Sequence, residues 1–172
     1  MLYLSLEFGV KSLPGLIFVF TFFYRFFSIR HIAKSKVRYT RLFIAKLVLN
    51  LFMAIMSLAY MIITFVTPSS INFTSWLNAC EMDFFALIYI IQVIAWTLSC
   101  FIMIFEYHRL LSESWYANQL FWILNLVAEA VTFYLLRVDL LASPFMITTV
   151  CINLGVNGSL VVMMFFTTKR TE

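Results

Sequence analysis

Residues 42–66 read LFIAKLVLNLFMAIMSLAYMIITFV, a stretch whose single charged side chain is Lys46. A helix rising 1.5 Å per residue needs about 20 mostly apolar residues to cross the ~30 Å hydrocarbon core of a bilayer. Four further stretches, at about 13–29, 84–105, 117–136 and 144–166, pass the same test. Together the five exceed any soluble core that 172 residues need. The composition agrees, with 63% hydrophobic and 12% charged residues against the roughly 25% charged of soluble domains.

The apolar runs are continuous, unlike the short alternating strands of an outer-membrane barrel, so the backbone polar groups must be satisfied within helices. The expected fold class is an all-α integral membrane protein, a single domain over 1–172 formed by a bundle of five transmembrane helices. The first run lacks a basic leader and a small-residue cleavage site, which reads as a full span with Met1 as the mature start rather than a signal peptide.

Orientation follows from the placement of Lys and Arg. One side carries Arg30, Lys34, Lys36, Arg38, Arg41, Arg109, Lys169 and Arg170; the other has Lys11 and Arg137. The bias predicts an outside N-terminus and a cytosolic C-terminus. The basic loop from Arg30 to Arg41 sets that topology and is also a candidate patch for anionic lipid, at about 1 kcal/mol per surface charge. Arg25 and Lys46, just inside the cytosolic ends of the first two spans, are expected to snorkel to the headgroups without buried partners.

Polar residues within spans should face protein. Lys46, Asn50 and Ser57; Gln92, Ser99 and Glu106; Asn118, Asn125 and Glu129; and Thr149, Asn153 and Asn157 each fall at helical spacing, one stripe per helix. Gly155 and Gly158 flatten the fifth helix and predict close approach of a neighbour there. Glu129, near mid-bilayer, is expected to be protonated or hydrogen-bonded, since a bare carboxylate costs several kcal/mol at that depth. It is also the candidate for ion passage.

Little else carries chemistry. Cys80, Cys100 and Cys151 lack ligand spacing, and His31 and His108 read as isolated loop residues. Neither a phosphate-binding loop nor a nucleophile motif occurs, so the expectation is no enzyme, no cofactor, no metal and no nucleic-acid partner. On the outer side, Glu81 or Asp83 could pair weakly with Arg137 near Asp139. Asn72-Phe73-Thr74 is a glycosylation sequon in the outer loop. Its use would establish a secretory-pathway membrane and exclude a mitochondrial one; the expected location is a secretory-pathway, plasma or vacuolar membrane, with the mitochondrial inner membrane as the alternative. A second match, Asn157-Gly158-Ser159, lies inside a span.

The stretch Phe105-Glu106-Tyr107-His108-Arg109, then Ser112-Glu113-Ser114, then Leu120-Phe121-Trp122 opening an apolar helix, resembles the third-to-fourth connection of the N-terminal five-helix domain, transmembrane domain zero, of C-subfamily ABC transporters, the multidrug resistance-associated proteins and sulfonylurea receptors. The span count, the outside N-terminus and the basic first loop are similar too. The resemblance implies a non-catalytic module for membrane targeting, assembly and docking to an integral membrane partner. The expected docking surface is the third-to-fourth cytosolic turn with the exposed faces of the first and fourth helices, and Arg109, Trp115 and Trp122 are its expected docking residues. The family's transport core and ATP-binding domains do not follow within these residues, so a stand-alone relative or a fragment is expected. Two alternatives stand beside it. Twenty Phe and nine Met with four Gly also suit an accessory structural subunit of a large organellar complex, such as an energy-transducing assembly, and Glu129 suits a small oligomeric transporter or channel.

Overall fold

The computed structural model describes residues 2–32, 39–66, 76–110, 116–138 and 144–166, with side-chain surroundings over 10–32, 39–63, 87–109, 116–134 and 147–166. The order is α1 (Leu2–Ile29), α2 (Arg41–Val66), α3 (Trp76–Leu110), α4 (Tyr116–Val138) and α5 (Pro144–Phe165). Helices α1 and α3 overrun the expected spans at 13–29 and 84–105, while α2, α4 and α5 match theirs within a residue or two. Among the described residues, four helices are long and apolar enough to cross a membrane: Val10–Ile29, Arg41–Ile63, Leu87–Arg109 and Ile147–Phe165. Helix α4 is the least apolar because Asn118, Gln119, Asn125 and Glu129 interrupt it.

Local chemistry sets the helix starts and bends. Thr40 caps α2, its Oγ1 accepting from Phe43 N at 3.1 Å, which satisfies one of the four amides a helix start leaves open. Pro14 sits inside α1, where a missing N–H and a ring clash loosen the preceding carbonyls. In the same turn Gln92 of α3 donates to Lys11 O at 2.6 Å, tying this part of α1 to α3. One residue on, a Cβ at Gly15 would meet Ile91 Cγ2 at 2.8 Å, so glycine is what lets α1 lie against α3. The predicted close approach at Gly155 and Gly158 is not formed; a Cβ at either meets nothing within 4 Å. Both face open space, because the interior face of α5 runs through Asn153 and Asn157 instead.

The principal packing contacts trace a ring in the order α1, α3, α2, α5, α4 and back to α1, with the α2–α5 seam the thinnest. Each interior face repeats at alternating steps of three and four. On α2 it is Phe43, Lys46, Asn50, Met53 and Ser57; on α5 it is Val150, Asn153, Asn157 and Leu160. That spacing averages 3.5 residues, which produces helices packed at shallow crossing angles. The opposite faces are apolar: Phe20, Val48, Leu51, Ile55, Val127, Val162 and Phe165 are all exposed. A surface lined by large apolar side chains on helix after helix is compatible with lipid.

Helices α3 and α4 are staggered. Ser99 meets Asn118 and Trp96 meets Phe121, an antiparallel register. Helix α3 continues three turns past Ser99 to Leu110, whereas α4 starts half a turn before Asn118. The start of α4 therefore stands about 13 Å short of the end of α3 at 1.5 Å per residue. The last turns of α3 are left to α1 and α2, and a groove of about 140 Å³ lined by Phe101, Ile104, Phe105, His108 and Arg109 remains beside them.

Candidate functional site

Three polar layers are stacked inside the ring. The first is built on four consecutive residues at the end of α3. Glu106, 1% exposed, accepts from Arg25 Nε of α1 at 2.7 Å. Tyr107 Oη accepts from Thr40 N at 3.0 Å, and its ring lies 4.1 Å from that of Phe43. Nε2 of His108 lies 2.6 Å from Tyr39 Oη. Arg109 donates to the carbonyls of Ile29 (3.3 Å), Arg30 and Ile32, while its guanidinium stacks 4.3 Å from the centre of Phe105. The C-terminal carbonyls of α1 have no intrahelical donors and carry partial negative charge; a planar cation with several donors answers both. Glu106 to Arg109 thus fasten the end of α1 and the start of α2 to α3.

This layer corrects several expectations. Arg25 and Lys46 do not simply snorkel: Arg25 turns inward to Glu106, and Lys46 is fully buried. For Arg25 the reason is Glu106, whose buried carboxylate gives the guanidinium a partner that the headgroups would not. His108 belongs to the last turn of α3 and is half-buried against Tyr39 rather than isolated in a loop. Arg109, half-buried, also caps the end of α1, an internal role that its place in the sequence did not indicate.

The second layer joins α2, α3 and α4 around Asn50. Trp122 Nε1 donates to Asn50 Oδ1 at 3.0 Å, and Asn50 Nδ2 donates to Met103 Sδ at 2.9 Å. Ser99 Oγ lies 3.2 Å from Asn50 Oδ1 and 2.6 Å from the side-chain oxygen of Asn118. A hydroxyl carries one proton and gives it to one acceptor at a time, so Ser99 divides its donation between the two amides. Asn50, Ser99, Asn118 and Trp122 are all fully buried. Trp122, implied as a docking residue, has no surface to offer; its indole fills the interior and its N–H is spent on Asn50.

The third layer lies toward the other end of the bundle, between α4 and α5. Asn153 Nδ2 donates to Glu129 Oε1 at 3.2 Å. One turn along each helix stand Asn125, whose Nδ2 donates to Phe121 O at 2.8 Å, and Asn157, which is 0% exposed. Glu129 is hydrogen-bonded and partly buried, with Asn153 at its own depth and Asn157 one turn away.

Outside these layers, Arg30 and Arg41 are exposed, and Arg30 stacks 5.1 Å from the Phe27 ring centre. Lys34, Lys36, Arg38, Asn72 and Trp115 lie outside the described residues, as do the side chains of Glu81, Asp83, Arg137 and Asp139. The sequence reading missed a row on α1. Phe20, Phe23, Tyr24 and Phe27 are 76%, 51%, 76% and 53% exposed, at positions i, i+3, i+4 and i+7 of one face. The spacing was present in the sequence, but a run of aromatics inside a span reads as lipid-facing on either side. Among the described residues, no three His, Cys, Asp or Glu side chains gather as metal ligands.

No protein-family model matches this chain, and no curated protein matches it. Over the described residues, fold and site define an all-helical bundle with four membrane-capable helices and a layered polar interior.

Proposed function

We infer that this chain is a non-catalytic docking module of a membrane, with five spans, an outside N-terminus and a cytosolic C-terminus. It is similar in role to the N-terminal domain of C-subfamily ABC transporters and holds an integral membrane partner. The observation that carries the reading is the aromatic row Phe20, Phe23, Tyr24 and Phe27 on α1. Four large rings at i, i+3, i+4 and i+7 are the anchor pattern by which a helix lies along a partner surface, and rings give more contact area per frozen rotor than aliphatic chains. The interior supports the same reading. Arg25, Glu106 and Arg109 are engaged within the chain, as structural charges are and as the open positions of a substrate site are not. Helix α4 joins as the fifth span despite its polarity, because its polar residues face the ring. The exposed Arg30 and Arg41 fit anionic lipid at the cytosolic surface.

The test is site-specific photo-crosslinking in native membranes. A photoreactive phenylalanine at position 20, 23 or 27 is expected to capture another polypeptide, and one at Val48 or Val162 is expected to capture lipid. Equal lipid labelling at all five positions would reject docking through α1. Mass spectrometry of the adduct separates a transporter or channel partner from a many-subunit organellar complex.

A further inference from the structure

Three buried polar atoms within one turn of α5 have no hydrogen-bond partner: Asn157 Nδ2, Asn157 Oδ1 and Asn153 Oδ1. A buried amide left unmet costs about 1–3 kcal/mol per group in a protein interior, and in a bilayer no water lies outside the helix to meet it. Neighbouring side chains do not supply the bonds. Asn153 Nδ2 is used on Glu129 Oε1, and Asn125, level with Asn157 on α4, turns its Nδ2 back to Phe121 O. Rotating the Asn157 amide changes nothing, because both of its ends lack a partner.

The unmet atoms define what fits. Two are acceptors and one is a donor, so an occupant must both give and receive hydrogen bonds. An apolar group meets none of the three. A bare cation meets the two oxygens and repels Nδ2. Water meets all three, and buried waters typically make about three such bonds. The two ends of one amide point different ways, so one water does not serve both Asn157 Oδ1 and Asn157 Nδ2, and the count is at least two molecules.

We propose that the α4–α5 seam is a hydrated site, with water held by Asn153 and Asn157 beside the Glu129 carboxyl. Asn157 lies near the middle of the apolar segment Ile147–Phe165, so this water sits at mid-span. It gives the carboxyl a solvent molecule to hydrogen-bond and to exchange protons with, at a depth where lipid offers none. Two amides and one carboxyl on facing helices are therefore a site for water or hydronium.

The experiment uses the full chain labelled with ¹⁵N at asparagine, in lipid nanodiscs. The Asn157 side-chain signals are identified by their loss in Asn157→Leu. Wild-type protein should show a cross-peak from the Asn157 NH₂ protons to water, with the sign of dipolar transfer in the rotating frame; no such peak overturns the proposal. Asn157→Leu should also lower the unfolding temperature, because it strands the water that Asn153 retains. A rise in that temperature would mean a dry, strained amide in the parent and would equally overturn it. If the variant does not fold, a conservative Asn157→Gln identifies the signals and the wild-type cross-peak decides.

Discussion

Arg25 Nε donates to Glu106 Oε1 at 2.7 Å across the α1–α3 interface, yet the two partners are unequally placed: Arg25 is 27% exposed and Glu106 1%. The pair joins residues 81 positions apart in the chain, and it sits directly beneath the Tyr107, His108 and Arg109 contacts to the end of α1 and the start of α2.

That inequality predicts an asymmetric mutational response. Arg25→Met leaves a carboxylate buried without its cation and is expected to cost about 3–5 kcal/mol, the usual penalty for stranding one member of a buried pair. Glu106→Met frees a long cation that can reach the headgroups, so its cost is smaller. The double substitution should recover most of the loss, since apolar replacement of a whole buried pair is often neutral. Unfolding titrations of the three variants in mixed micelles measure the order. Equal costs for the two single variants would show that the partners are equally buried in lipid.

The glycines separate by environment. Gly15→Ala places a methyl 2.8 Å from Ile91 Cγ2 and 3.5 Å from Ala95 Cβ, and overpacking of this kind costs about 1–3 kcal/mol. Adding Ile91→Val should return part of it. Gly155→Ala and Gly158→Ala meet nothing and remove a helix penalty of up to about 1 kcal/mol each, so they are expected to be neutral or stabilising. Thermal unfolding of the four variants checks the contrast.

How far the sequence carried this fold depends on which physical term decided each feature. Helix number and the interior polar stripes were legible, because helical period and the cost of polar groups in lipid are local properties of residues such as Asn50, Ser99, Asn118 and Asn157. Pairings between helices were not. Nothing near Arg25 in the chain indicates Glu106, so a cation close to a span end was read as snorkelling. Gly155 and Gly158 looked like a packing motif because spacing alone carries no information on which face is covered. Gly15 escaped notice since its partner, Ile91, is distant in sequence. Trp122 was assigned to docking along with the resemblance, although its burial depends on a partner, Asn50, that lies 72 residues away in the chain.

The Asn50 node predicts which of its members matters most. Asn50→Leu strands the Trp122 indole N–H and removes an acceptor from Ser99, whereas Trp122→Phe leaves Asn50 Oδ1 with Ser99 in reach. Interhelical hydrogen bonds in membrane proteins are worth about 0.6 kcal/mol on average and up to about 1.7. Asn50→Leu, which breaks more than one, should therefore cost about 1–3 kcal/mol and exceed the hydrogen-bond part of Trp122→Phe. A double-mutant cycle between Asn50→Leu and Trp122→Phe gives the coupling directly, and a coupling near zero would rule out the bond.

Arg109 predicts a local effect with little global cost. Its guanidinium reaches three carbonyls at the end of α1 and stacks on Phe105. Arg109→Gln keeps one short donor group and loses the reach, the charge and the stacking, so the last turn of α1 should fray. Arg109→Lys restores the charge opposite the helix C-terminus, worth about 0.3–1 kcal/mol, but a point-like ammonium lacks the planar fork that spans several acceptors. Hydrogen exchange at the amides of Arg30 and Ile32, which bond to Phe26 O and Ile29 O at 3.1 Å, is the direct measure. Exchange is expected to be fastest in Arg109→Gln, intermediate in Arg109→Lys and slowest in the parent, while amides in the middle of α1, around Phe18, stay unchanged. A uniform acceleration along α1 would mean that Arg109 supports the whole helix and does not cap its end.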